Sequence, residues 1–127
     1  MLDLNIGQLR QKLQRYPLQQ AYLFGSYARG TAGPLSDVDI ALLFKSRVNK
    51  DKIESKIFAD ISQLLHTDNI DIIDIETASP LLAHRSVIQG VPLLNHSRHE
   101  EAVLKTSILH SYEDSRYLRE LKARAAV

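Results

Sequence analysis

Two carboxylates stand at the mouth of a strongly apolar strand: Asp37, then Val38-Asp39-Ile40-Ala41-Leu42-Leu43-Phe44. In an extended chain residues i and i+2 project to the same face, so Asp37 and Asp39 point the same way. Side by side, two like charges are unfavourable unless a cation neutralises them. Hard oxygen donors of this kind suit Mg2+, which binds through one or two carboxylates and completes its shell with phosphate oxygens and water. Whatever the chain folds into, this strand end must meet a cation.

The pattern around that strand supplies its neighbours. Leu2, Ile6, Leu9, Leu13 and Tyr16 recur at steps of four and three, predicting a helix over residues 5–16 with Asn5 as its N-cap and Pro17 as its end. Ala21-Tyr22-Leu23-Phe24 reads as a short buried strand stopped by Gly25. Residues 25–36 hold Gly25, Gly30, Gly33 and Pro34 and read as loop with at most one helical turn. Asn49 or Asp51 opens a helix that aligns Ile53, Ile57, Ile61, Leu64 and Leu65. Ile70 to Ile75 is a third strand. Ser79-Pro80 starts a helix that Gly90 ends, and Val91 to Leu94 is a short edge strand, because Pro92 disfavours a central place.

The loop between the first two strands is too short for a helical crossover, so they pair antiparallel. The second and third flank a whole helix and pair parallel. The expected fold class is α+β: a small mixed sheet with flanking helices. From Arg98 to Ala125 the chain lacks Gly and Pro and forms a long C-terminal helix with Val103, Leu104, Ile108, Leu109, Tyr112, Leu118 and Leu121 on one side. Residues 1–96 are expected as the core and 97–127 as a helical extension, either packed on its own domain or reaching out to dock another chain.

Composition removes several classes. With 44% apolar and 24% charged residues the chain is globular, not disordered. No apolar run approaches the ~20 residues of a membrane span, and the first ten residues lack the pattern of a secretory signal. Zero cysteines exclude disulfides and thiolate metal sites, with a reducing cytoplasmic setting as the default. Sixteen Lys+Arg against fifteen Asp+Glu give no whole-molecule field for nucleic acid, so no direct nucleic-acid partner is expected. Any phosphate chemistry must come from a local site.

That site assembles from two segments. The third strand carries Asp71 and Asp74 in an isoleucine run, where an unpaired Asp is costly. Their odd separation puts them on opposite faces. If the strands are parallel, Asp71 lies level with Asp37 and Asp39, so it is preferred as the third carboxylate, with Asp74 the alternative. In the loop, Gly25-Ser26 directly follows a strand. Absence of a Cβ lets a ligand or backbone approach there, a hydroxyl and exposed amides can bond phosphate oxygens, and Arg29 can hold a phosphate bidentately. His96 and His99 form a spacing that a metal could use, but no further ligand fits. Lys45 and Arg47 read as solvated loop charges.

Together Gly25-Ser26, ten residues and Asp37-Val38-Asp39 make G-S-x10-D-x-D within GSYARGTAGPLSDVDIALLF. This segment resembles the minimal nucleotidyltransferases of the DNA polymerase β-like superfamily, over roughly residues 1 to 95. The short chain, the wording S-Y-A-R-G and the helical tail are similar to the antitoxins of that superfamily that pair with a HEPN-domain toxin. The resemblance implies a palm-like sheet and an enzyme that transfers AMP from ATP to a tyrosine hydroxyl of the HEPN partner in a hetero-oligomer. It also implies two Mg2+ ions held by Asp37, Asp39 and Asp71, with Gly25, Ser26 and Arg29 on the β- and γ-phosphates. Two other readings stay open: an antitoxin that blocks its toxin by contact alone, and a small-molecule nucleotidyltransferase.

Overall fold

The computed structural model describes residues 4–94 and 97–125. Leu2 and His96, and with His96 the expected boundary, lie outside the described residues, as do the side chains of Tyr117, Leu118 and Leu121.

Helix α1 spans Ile6–Leu13, with the Asn5 side chain accepting the Gln8 N–H at 3.1 Å and Leu9 and Leu13 buried. The predicted extension to Tyr16 does not form. Pro17 disfavours helical geometry at the residue before it, and the chain leaves the helix with the Tyr16 N–H on the Leu13 carbonyl. The Tyr16 hydroxyl then donates to Asp60.

Strand β1 runs Leu18–Phe24, three residues longer at its start than the sequence pattern suggested. A bulge between Leu18 and Gln20 hides the early part, because the extra residue reverses the alternation. Leu18 therefore joins the core layer of Ala21 and Leu23, while Tyr22 and Phe24 belong to the other. Gln20 is buried but satisfied: the Tyr22 hydroxyl donates to its Oε1 at 2.8 Å.

After the one-turn helix α2 (Ser26–Arg29) come strand β2 (Val38–Phe44) and helix α3 (Lys50–Leu65), whose N-cap is Asn49. Strand β3 covers Ile70–Asp74; Ile75 lies just past it, its N–H still bonded to the Leu42 carbonyl. Strand β4 is Val91–Pro92. The sheet order is β3-β2-β1-β4, with β1 antiparallel to both neighbours and β2 parallel to β3. The β1–β2 and β2–β3 pairings are the expected ones, and Pro92 sits on an edge strand.

One face of the sheet (Ala21, Leu23, Val38, Ile40, Leu42) packs on α1 and α3 through Leu9, Leu13, Ile57 and Ile61, all fully buried or nearly so. Each such side chain contributes about 1.5–3 kcal/mol of burial. The opposite face carries a smaller cluster of Tyr22, Phe24, Ala41, Ile75, Ala83, Val87 and Ile108.

The second cluster departs from expectation. A single helix from Ser79 to Gly90 is replaced by helix α4 (Pro80–Ala83), capped by Ser79, and a π-helical turn over His84–Ile88. Gly90 makes room for this turn: a Cβ there would stand 2.0 Å from the Ser86 carbonyl oxygen and 3.1 Å from that of Leu23. Helix α5 (Arg98–Ala125) closes this layer through Leu104 and Ile108, and its Tyr112 ring stacks on His84 with centroids 4.0 Å apart. Its other side leaves Val103 and Leu109 exposed.

Two stability outcomes follow. Gly90→Ala should lower the unfolding free energy by about 1–3 kcal/mol, the usual effect of overpacking, measured by urea titration. Burial, then the hydrogen bond to Asp60, pushes the Tyr16 phenol up to about 12. The unfolded chain releases that proton near pH 10, so the stability held below this value is lost as pH rises toward 12. Tyr16→Phe should therefore flatten the alkaline fall of the urea midpoint, leaving the part that Tyr22, also raised by burial, still contributes.

Candidate active site

Strand register brings the acids together. Asp39 pairs directly with Asp71 across the parallel β2–β3 ladder, and paired residues in such a ladder share a face. Asp37, two residues before Asp39, projects to that face by the same alternation. Asp37 and Asp71 are exposed and Asp39 is half-buried. Burial, then the charges of Asp71 and Asp37, push the Asp39 carboxyl above its ordinary range, while Arg29 pulls it back. The site is a crowd of like charges with one cation nearby.

Asp74 pairs with Leu42 and so faces the opposite side of the sheet. There Lys50 donates to its Oδ2 at 2.9 Å and the Glu76 N–H to its Oδ1 at 3.0 Å. It caps the strand end and anchors the start of α3, away from the Asp39 face. Lys50 is held more firmly protonated by its hydrogen bonds to Asp74 and Glu76.

Gly25 is the hinge between the loop and the acids. Its φ of +74° lies where only glycine is comfortable, and a Cβ would stand 2.1 Å from the Asp39 Oδ2. The chain turns there directly into α2, closed by Gly30 at φ +72° with the Thr31 N–H on the Ser26 carbonyl at 2.9 Å. Ser26 thus opens α2 directly after the residue that backs the Asp39 carboxylate. A second turn, in which the Ser36 N–H bonds the Gly33 carbonyl and Ser36 Oγ accepts the Gly33 N–H, leads straight into Asp37.

Two openings flank the acids. A cleft of about 560 Å3 runs along the free edge of β3 between Asp71, Ile72, Glu54 and Phe58. Burial and the surrounding acids push the Glu54 carboxyl up. A smaller recess beside Gly25 and Arg29 also takes in Arg85 and Gln89. Neither of these two was flagged by the sequence, since a lone arginine and glutamine in a helical stretch carry no spacing signal.

The donor set fits a magnesium ion arriving with its nucleotide. Among the described residues no three acidic or histidine side chains form a ready cage. Mg2+ needs only one or two carboxylates when phosphate and water supply the rest, and crowded, partly desolvated oxygens are what such an ion relieves.

The polymerase beta nucleotidyltransferase family matches residues 7–99. The chain belongs to that family. It is 35% identical over 85 residues to the protein adenylyltransferase MntA of Shewanella oneidensis, an alignment spanning 66% of this chain and 59% of that relative. Its fold is similar to that of a chain in a toxin–antitoxin crystal structure with AMP-PNP, with TM-score 0.82 at 25% identity, covering 97% of this chain and 98% of that one. It is also similar to a chain in a structure of a tri-AMPylated Shewanella oneidensis HEPN toxin in complex with MNT antitoxin, with TM-score 0.74 at 21% identity over 95% and 94% of the two chains. The α+β palm-like sheet with its long C-terminal helix is the fold of these nucleotidyltransferases. Among the described residues no helix is long and apolar enough to cross a membrane.

Gly25→Ala should lower stability by roughly 2–4 kcal/mol, combining backbone strain with a steric clash. The clash falls on Asp39, so a crystal structure of the variant should find that carboxylate displaced.

Proposed function

We propose that this protein transfers AMP from ATP to a tyrosine hydroxyl of a HEPN-domain toxin and so acts as the antitoxin of a cytoplasmic toxin–antitoxin pair. The observation that carries the reading is the alignment of Asp39 with Asp71 on one sheet face, against a Cβ-less turn that leads into Ser26 and into Arg29, whose charge reaches Asp39. Support comes from the MntA relative, named a protein adenylyltransferase, and from the AMP-PNP structure of a toxin–antitoxin with a similar chain.

In this reading Asp37, Asp39 and Asp71 would hold the Mg2+ that accompanies the triphosphate. Bound there, magnesium would neutralise the carboxylates and stabilise charge on the leaving pyrophosphate. Gly25, Ser26 and Arg29 anchor the β- and γ-phosphates through amide, hydroxyl and guanidinium donors. The acceptor oxygen then bonds to the α-phosphorus as the bond to the β-phosphate oxygen breaks. The electron pair leaves with pyrophosphate. Asp71, exposed on the same sheet face as Asp39, takes the hydroxyl proton. A tyrosine hydroxyl, with its pKa near 10, needs that help at neutral pH.

The double variant Asp37→Asn, Asp39→Asn should fold with an unchanged or raised melting temperature, since it removes like-charge crowding. It should lose transfer by at least ~10^3-fold, scaled to the loss of several kcal/mol of charge stabilisation. Asp74→Asn, whose partner is Lys50, should weaken the fold modestly and keep transfer. The assay is labelled ATP with the purified toxin, read as a mass gain of AMP on the toxin. Full transfer by the double variant defeats the reading; inhibition of the toxin without ATP and without mass gain assigns the protein to blocking by contact.

A further inference from the structure

The recess beside Gly25 has a volume of about 170 Å3 and is walled by Phe24, Gly25, Arg29, Leu82, Arg85 and Gln89. Its charged lining consists of two guanidiniums from separate parts of the chain, Arg29 at the end of α2 and Arg85 in the π-helical turn. The ion pairs formed among the described residues engage Lys50, Lys105 and Arg116; Arg29 feels the Asp39 carboxylate, and Arg85 takes part in none of these pairs. Two cations sharing one small cavity repel each other unless an anion lies between them.

The π-helical turn gives this pairing a structural cause. The Gln89 N–H reaches back five residues to the His84 carbonyl at 3.4 Å, widening the helix where Arg85 and Gln89 both reach the recess. Such widened turns recur at functional sites. Ser86 and Val87 are buried, so the turn is clamped from behind while Arg85 stays exposed. Phe24 and Leu82 supply apolar walls that strengthen charge-assisted hydrogen bonds in the recess. At ~30 Å3 per water the space matches roughly six water molecules, too little for a whole nucleotide and enough for a phosphoryl group or two.

We infer that this recess is the subsite for the terminal phosphates of the nucleoside triphosphate, with Arg85 as a second guanidinium facing Arg29 and Gln89 as an amide donor. The inference rests on the nucleotide-transfer reading and extends it by a binding residue outside the G-S-x10-D-x-D segment. Arg85 touches the leaving group, so it governs triphosphate binding first and the departure of pyrophosphate second.

The test compares the parent protein with Arg85→Gln and Arg85→Lys, titrating AMP-PNP, AMP and inorganic tripolyphosphate in the presence of Mg2+. Arg85 is exposed, so both variants should melt with the parent. Arg85→Gln should weaken AMP-PNP and tripolyphosphate about tenfold or more, as expected for losing a hydrogen bond to a charged group, and leave AMP within about twofold. Arg85→Lys should recover part of the loss, since it keeps the charge but not the fork. AMP-PNP affinity equal in parent and Arg85→Gln, or an equal loss for AMP and AMP-PNP, overturns the subsite. If transfer to the toxin is intact in that case, the functional reading survives without it. Conversely, Arg85-dependent tripolyphosphate binding in a protein that transfers no AMP upholds the subsite and defeats the transfer.

Discussion

The contact between the Gly25 backbone and the Asp39 carboxylate is the constraint around which the site is built. No side chain larger than hydrogen fits between them, and the left-handed φ of Gly25 ties the turn to the same residue. With that turn fixed, β1 must end beside the start of β2, where Phe24 pairs with Asp39. The parallel ladder then sets Asp71 abreast of Asp39. Two carboxylates on neighbouring strands repel each other, and the partial burial of Asp39 sharpens the effect. Arg29 offsets part of this, yet the net effect still disfavours ionised Asp39. A protein selected for stability alone would not keep that arrangement; one that binds a cation with its substrate has reason to.

The sheet separates structure from chemistry by parity. On one face, α1 and α3 cover an apolar layer that runs the length of the strands, and Asp74 on that side is spent on Lys50 and the start of α3. On the other face, α4, the π-helical turn and α5 cover one end through Ala83, Val87 and Ile108. The acidic end is left uncovered. Two aspartates three residues apart therefore have unrelated roles, and a one-residue slip of β3 would exchange them.

Much of this was legible before any coordinates. The apolar run of β2, the Asn49 and Ser79 caps, and the short loop that forces antiparallel pairing all depend on local chemistry, which sequence reports directly. Parity distinguished Asp71 from Asp74 once the crossover helix implied parallel strands. The start of β1 was hidden because its bulge breaks the period of two, and because Gln20 is buried only by virtue of the Tyr22 hydroxyl. The π-helical turn was hidden for a similar reason. Gly90 reads as a plain helix end, and only the third dimension reveals that it admits the Ser86 carbonyl.

Arg85 illustrates a deeper limit. An acid on a strand betrays itself because it interrupts an apolar run, whereas an arginine on an exposed helical surface interrupts nothing. Its significance arises from convergence: the π-helical turn lies against β1, and β1 ends at the glycine that backs the acids. The resulting site has carboxylates and guanidiniums grouped around one turn, and these two groups suit different parts of one substrate. Carboxylates with a bound cation favour the phosphorus under attack, while guanidiniums favour the end that must depart with the electron pair. In the proposed reading one polyphosphate substrate engages both groups, its reacting end at the acids and its leaving end at the recess.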